Sequence, residues 1–259
     1  MNQFIFYQRI QDHSQKTVCK EIWINWINYE IKLVKRINTN QSIDLQYQLI
    51  NEINIISEIN EPFIVKTHGY LTDHFQNILL FQDYYSKGTL RDNLSMLSEK
   101  QKLVIIFKIA QAISSLNYKF NVVYRNLSPD NILLLDDLSP ILDNFGISKQ
   151  LSFTYQKMSK VLQFSIYNAP EIYQGSYQLF VDVWSLGVLV IWMFTGKEFE
   201  MEYYMLKRYE QLNLPDILTD KLPAFGLSFL ELLLEVDPSK RPDIKLITNL
   251  LQKLIEISK

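Results

Sequence analysis

Along the first third of the chain the apolar positions alternate with polar ones at the period of an extended strand. The segments FIFYQRI, TVCKEIWI and NYEIKLVKRI are separated by polar turns and read as three strands. A three-to-four spacing then takes over in DLQYQLINEINIISEI, which predicts a helix. Two more apolar runs, FIVKTHGYL and NILLFQDYY, predict further strands before SKGTL breaks the pattern at Gly88. Beyond that point the helical period dominates, in KLVIIFKIAQAISSLNYKF, FVDVWSLGVLVIWMF, PDILTDKL, LSFLELLLEV and IKLITNLLQKLIEI. Strands first and helices after predict an α+β protein in two lobes. The expected divisions are a smaller strand-rich lobe over residues 1–82, a hinge over 83–87 and a larger helical lobe over 88–259. The polar stretch from Ile37 to Asp44 reads as a loop. From Gly146 to Asn168 no period is evident, and Lys149, Lys157 and Lys160 stand without any acidic residue, which predicts a long irregular segment with hydroxyls at Ser152, Thr154, Tyr155, Ser159 and Ser165.

Composition narrows the function classes. A chain of 259 residues, 47% hydrophobic and 13% aromatic, can bury a large core. Its 26 basic and 28 acidic residues leave a net charge of -2, so no overall field directs it to nucleic acid or to an anionic membrane. The single cysteine, Cys19, excludes an internal disulfide framework and a thiolate metal cluster. The start MNQFIFYQRI lacks the pattern of a signal peptide, and the longest apolar run, Val183 to Phe194, is too short to span a bilayer and reads as a buried helix. A cytoplasmic protein, with no membrane or nucleic-acid partner, is the expectation.

The candidate chemistry lies in VVYRNLSPDNILL, Val122 to Leu134. Tyr124, Arg125, Asn126, Leu127 and Asn131 match H-R-D-L-x-x-x-N with an amide in place of the aspartate. Downstream come NFG (Asn144 to Gly146), APE (Ala169 to Glu171), DVWSLGV from Asp182 and DPSKRP with Arg241. Five ordered motifs at this spacing resemble the eukaryotic protein kinase family over almost the whole chain. The resemblance implies ATP and Mg²⁺ as cofactors and a protein hydroxyl as acceptor. It also implies that Lys32, in EIKLV, is the phosphate-pairing lysine and that Glu52 is its helical partner. Lys20 also fits the lysine motif, but it lies too far before Glu52 and leaves no room for a glycine loop. Val18, Gln82, Tyr84 and Leu133 are placed beside the nucleotide. Phe145, Tyr124 and Ile56 are placed in an apolar stack linking the lobes, Asp182 as a cap on the catalytic-loop backbone, and Glu171 with Arg241 as a buried pair.

Departures from the family pattern fall on the reacting groups. The glycine loop is replaced by Gln11 to Val18, QDHSQKTV, without a glycine; His13 reads as a turn residue and Lys16 as a point charge. Glu30 stands where the alignment on Lys32 expects a small residue; on a strand it shares the face of Lys32 and would fill the nucleotide slot, unless a strand shift exposes it. Asn126 has no titratable base. Asn144 offers a divalent cation a neutral carbonyl where the family has a carboxylate, and Asn131 is the second metal ligand. Asp143, one residue earlier, is expected to point away. Ser128 and Phe164 replace a lysine and a threonine of the catalytic machinery. The pattern predicts a pseudokinase, binding ATP and Mg²⁺ weakly or not at all and acting on another protein as a binding or allosteric module. The alternative is a divergent active Ser/Thr-type kinase.

Overall fold

A computed structural model describes residues 3–10, 18–38, 43–151, 165–174, 179–198 and 226–257. The expected glycine-loop replacement (Gln11 to Thr17), the helix in PDILTDKL, Phe164 and most of the segment after Gly146 lie outside these residues.

The first lobe is an antiparallel five-stranded sheet in the order β1-β2-β3-β5-β4. Its strands are β1 (Phe4–Ile10), β2 (Val18–Asn25), β3 (Ile31–Ile37), β4 (Thr67–Thr72) and β5 (Ile78–Asp83), and helix α1 (Ile43–Ile56) packs on one face. Alternation splits β3 and β5 cleanly. Val34, Leu79 and Phe81 form a small cluster on the outer face, capped by Phe4, Trp23 and Leu71. Ile37 and Leu80 join Leu49 and Ile56 of α1 in the main core on the inner face.

The run FIVKTHGYL is a strand only from Thr67 onward. Phe63 holds a left-handed φ of 66°, and the backbone around it bonds across to the second lobe. There Val65 N–H donates to Leu142 O at 2.9 Å and Leu142 N–H to Phe63 O at 2.8 Å. The chain then leaves the sheet at Asp83, turns at Gly88 (φ 73°), and enters α2 (Leu90–Asn93), which is closed by a capping box between Thr89 and Asp92.

In the second lobe α3 (Glu99–Lys119) starts at a Ser98–Gln101 capping box. It is followed by β6 (Val122–Val123), β7 (Ile132–Leu134), β8 (Pro140–Leu142) and β9 (Lys149–Gln150), with β6 paired to β9 and β7 to β8. Helix α4 (Val181–Thr195) is buried at every position from Val181 to Met193, so it is the centre of the lobe and not a surface element. It is joined by α5 (Gly226–Leu233) and α6 (Ile244–Ile257). The α4–α5 contact depends on Gly187, where an added Cβ would lie 2.8 Å from Leu234 Cδ2.

Candidate functional site

The site is assembled where β3, α1, the β6–β7 loop and the end of β8 meet. On β3, Lys32 and Val34 face outward, while Leu33 and Lys35 face α1. Lys35 therefore meets Glu52: its Nζ donates to Glu52 Oε1 at 2.7 Å and to Asp143 Oδ1 at 2.8 Å. All three residues are buried, at 3%, 4% and 3% exposure for Lys35, Glu52 and Asp143. Burial pulls the Lys35 ammonium down, but the two carboxylates outweigh it and raise it above its ordinary value. Burial likewise pushes Asp143 up, and the Lys35 charge pulls it further down, below the usual carboxylate range.

This corrects the expectation for Lys32. Three residues is an odd step on a strand, so Lys32 points away from α1. Its Nζ bonds instead to Glu30 Oε1 (2.6 Å), Asp83 Oδ1 (2.8 Å) and His68 Nε2 (2.8 Å) on the outer face. Glu30 is corrected with it: it does share the side of Lys32, but that side is not the cleft, and its side chain is 45% exposed. The signal that could have found Lys35 is the apolar pair in KLVK, Lys32 to Lys35, which places V-A-I-K three residues further along.

Asp143 also departs from expectation. Its side chain and that of Asn144 do diverge, because Asn144 sits in the left-handed region at φ 63°, ψ 63°. It is nevertheless Asp143 that reaches the lysine. Helix α1 adds a contact the sequence did not suggest: Asn51 Nδ2 donates to Gly146 O at 3.0 Å and Ser148 O at 2.8 Å. Gly146 lies close enough that a Cβ there would be 3.2 Å from Gln48 Cβ.

Below the lysine the loop residues close on one another. Asn126 Nδ2 donates to Asn144 O at 2.6 Å. Asn131 Nδ2 donates to Asn126 O at 2.9 Å and to Ser128 Oγ at 3.0 Å, and Asn131 Oδ1 accepts from Asn144 Nδ2 at 3.1 Å. Arg125, in a left-handed conformation at φ 62°, and Tyr124 are fixed by Asp182, whose carboxylate accepts Tyr124 N–H at 2.8 Å and Arg125 N–H at 2.7 Å. Burial raises Asp182 to about 6 in spite of those two donors. Tyr124 and Phe145 stack with centroids 5.0 Å apart, and Ile56 lies in the same core. Tyr124 Oη donates to Asp143 O at 2.6 Å. Arg241 pairs with both oxygens of Glu171 and lies 5.0 Å over the Trp184 ring.

Around the cleft, Val18 and Tyr84 are half-buried and Leu133 is buried on β7. Gln82 is wholly buried on the inner face, opposite Leu33, with neither amide atom hydrogen-bonded.

The donor set does not fit a divalent cation. The nearest carboxylate, Asp143, is taken by Lys35, and the side-chain oxygen of Asn131 is taken by Asn144. Among the described residues no cluster of His, Cys, Asp or Glu could hold a metal ion.

Comparison with known proteins agrees with this geometry. The protein kinase domain profile matches residues 23–253. Receptor-like kinase LIP2 of Arabidopsis thaliana is 35% identical over 160 residues, which is 56% of this chain and 28% of that protein. Serine/threonine-protein kinase dst1 of Dictyostelium discoideum is 29% identical over 238 residues, 87% of this chain and 31% of its own length. The meiosis-specific serine/threonine-protein kinase MEK1 of Saccharomyces cerevisiae is 29% identical over 211 residues, 71% of this chain and 41% of that one. The chain thus spans less than half the length of these relatives.

Proposed function

Because the chain belongs to the protein kinase domain family, we propose that it is a pseudokinase, using the kinase fold to bind or allosterically regulate another protein without transferring phosphate. The observation that carries this reading is that Asn126 and Asn144 stand where the family has carboxylates and that both are tied into the loop, Asn126 Nδ2 donating to the backbone oxygen of Asn144 and Asn144 Nδ2 to Asn131 Oδ1. Phosphoryl transfer asks a protein for positioned phosphates, metal ions and a base at the acceptor hydroxyl. Asn126 takes up no proton at neutral pH, and its amide N–H is already engaged by a backbone oxygen. Loss of a general base alone costs roughly 100- to 10,000-fold. Lys35 is neutralised twice over by Glu52 and Asp143, so a phosphate would have to displace a buried carboxylate to reach it. ATP and Mg²⁺ binding is accordingly weak or absent in this reading, and a cytoplasmic location goes with it. Among the described residues no helix is long and apolar enough to cross a membrane.

The second reading, a divergent active Ser/Thr-type kinase, rests on the Lys35–Glu52 pair at 2.7 Å. Restoring single groups separates the two. In Asn144→Asp, phosphotransfer to the protein itself or to generic substrates stays at background under the pseudokinase reading. Robust transfer in that variant would favour an enzyme one substitution from activity. Melting curves with and without ATP and Mg²⁺ are the companion measurement, since a ligand bound only by the native state raises the midpoint by mass action.

A further inference from the structure

Lys20, which spacing along the chain excludes as the partner of Glu52, lies in the fold directly beside the lysine that does pair with it. Alternation along β2 divides its side chains between the two faces of the sheet. Arg36 Nε donates to Glu21 Oε1 at 2.9 Å, and Trp23 meets the Phe81 ring edge-on with centroids 5.8 Å apart, so Glu21 and Trp23 lie on the outer face. Val18 packs against the main core and Ile22 is buried, which puts the alternate positions on the inner face. Lys20 stands between Val18 and Ile22, and its direct cross-strand partner is Lys35. Two lysines therefore face the candidate site side by side.

Their surroundings differ. Lys35 is buried and held by Glu52 at 2.7 Å and Asp143 at 2.8 Å. Lys20 is half-buried, and among the described residues it makes no hydrogen bond or ion pair of its own. Its charge still reaches the site, where it joins that of Lys35 in holding the Asp143 carboxyl below its ordinary range. Residues directly opposite in an antiparallel pair have Cβ atoms about 4.5–5.5 Å apart, and like charges there disfavour the pairing. A half-desolvated ammonium set against a second one is therefore a position that an incoming anion would satisfy. No carboxylate is left nearby to bring a divalent cation with that anion, since Asp143 is held by Lys35 and Asn144 is an amide.

We infer that Lys20, on β2, is the phosphate-binding residue of this site, and that the protein takes up a polyphosphate chain there as the free anion, without a divalent cation. A lysine ammonium is a compact point charge with three donors, suited to phosphate oxygens. It can meet them without displacing Glu52 or Asp143 from Lys35. Mg²⁺ coordinates the same phosphate oxygens and lowers their charge, and the protein offers it no ligand in return, so the Mg²⁺ complex is the disfavoured form. The inference deepens the pseudokinase reading and rests on its metal-poor cleft. It names what such a cleft would hold.

Isothermal titration calorimetry of the 259-residue chain with ATP and with inorganic triphosphate, each in EDTA and in excess Mg²⁺, tests this. Binding is expected in EDTA and is expected to weaken several-fold in Mg²⁺, the reverse of a site that holds its ligand through the metal. Tighter binding of ATP than of triphosphate would make the ligand a nucleotide, and equal binding would make it the phosphate chain alone; both support the inference. Lys20→Met is expected to weaken binding at least about tenfold, with a melting midpoint in anion-free buffer that is unchanged or raised, because a like-charge pair is relieved. Lys20→Arg, which keeps the charge, is expected to retain most of the binding. No detectable binding of either compound in EDTA up to about 1 mM would overturn the inference. So would binding that requires Mg²⁺, or a Lys20→Met variant that binds as the unaltered protein does. Phosphate transfer is read in a separate assay, so failure of this inference and failure of the pseudokinase reading are told apart.

Discussion

Asp143 shows how much hangs on one side chain. It joins the lobes, since its carboxylate lies at the end of β8 and its partner Lys35 on β3. Removing one member of a buried ion pair strands the other, at a cost of roughly 3–5 kcal/mol. In Asp143→Asn the lysine keeps Glu52, so the loss in urea denaturation should sit at the low end, on the order of 3 kcal/mol. Lys35→Met leaves two buried carboxylates facing each other and should cost more; the reverse order would show that the triad is not arranged as described. The pH dependence follows from the same contact. Asp143 is lowered in the fold, so its stabilisation is present above its unfolded value of 3.8 and is lost as pH falls through the folded value. Asp182 has the opposite sign. Raised from 3.8 to about 6, it favours the fold below its unfolded value, and that contribution is lost as pH rises through about 6. Asp143→Asn should therefore flatten the acid side of the stability profile while the change near pH 6 persists. Gln82 offers a test in the other direction. Its buried amide has no partner, and an unsatisfied buried group costs about 1–3 kcal/mol. Gln82→Met should raise stability by about 1 kcal/mol, and a drop in the denaturation midpoint would mean that the amide is satisfied by an ordered water.

At the level of elements, the strands of the first lobe and the long helices were legible because each has a clear apolar period, whereas α2 and the two- and three-residue strands β6 to β9 are too short to show one. Strand β3 shows where legibility stopped. Its lysines are three apart on opposite faces, and alternation within β3 alone does not say which face α1 covers, so only the motif alignment in KLVK separates Lys35 from Lys32. The stretch before β4 was hidden for a similar reason. Its apolar residues are satisfied by β8 of the other lobe and not by the sheet, a long-range pairing with no local signature. Helix α4 was readable as buried from its composition, yet the role of Gly187 required the position of Leu234, just past the end of α5. Gly187→Ala should destabilise the second lobe by about 1–3 kcal/mol through overpacking, although alanine is the better helix former. A gain in thermal stability would contradict the close α4–α5 approach.

For the whole molecule, the parts that hold the shape and the parts that would carry the reaction separate. The Tyr124–Phe145 stack, the Asp182 cap and the Glu171–Arg241 pair are all in place, and each was readable from the motif resemblance because these are packing roles. The substitutions at Asn126 and Asn144 were equally plain in the sequence. What it did not contain was that Asn126 bonds the backbone oxygen of Asn144, that the Asn144 amide bonds Asn131, and that Asp143 takes the lysine, since all depend on the left-handed turn at Asn144. A scaffold intact around a closed amide set is the central claim. It is tested most directly by transfer of the terminal phosphate of ATP, with Mg²⁺ or Mn²⁺, measured side by side for the unaltered protein and Lys35→Ala. The account predicts that both stay at the protein-free background. Turnover by the unaltered protein that Lys35→Ala abolishes would contradict it and make the chain an active kinase.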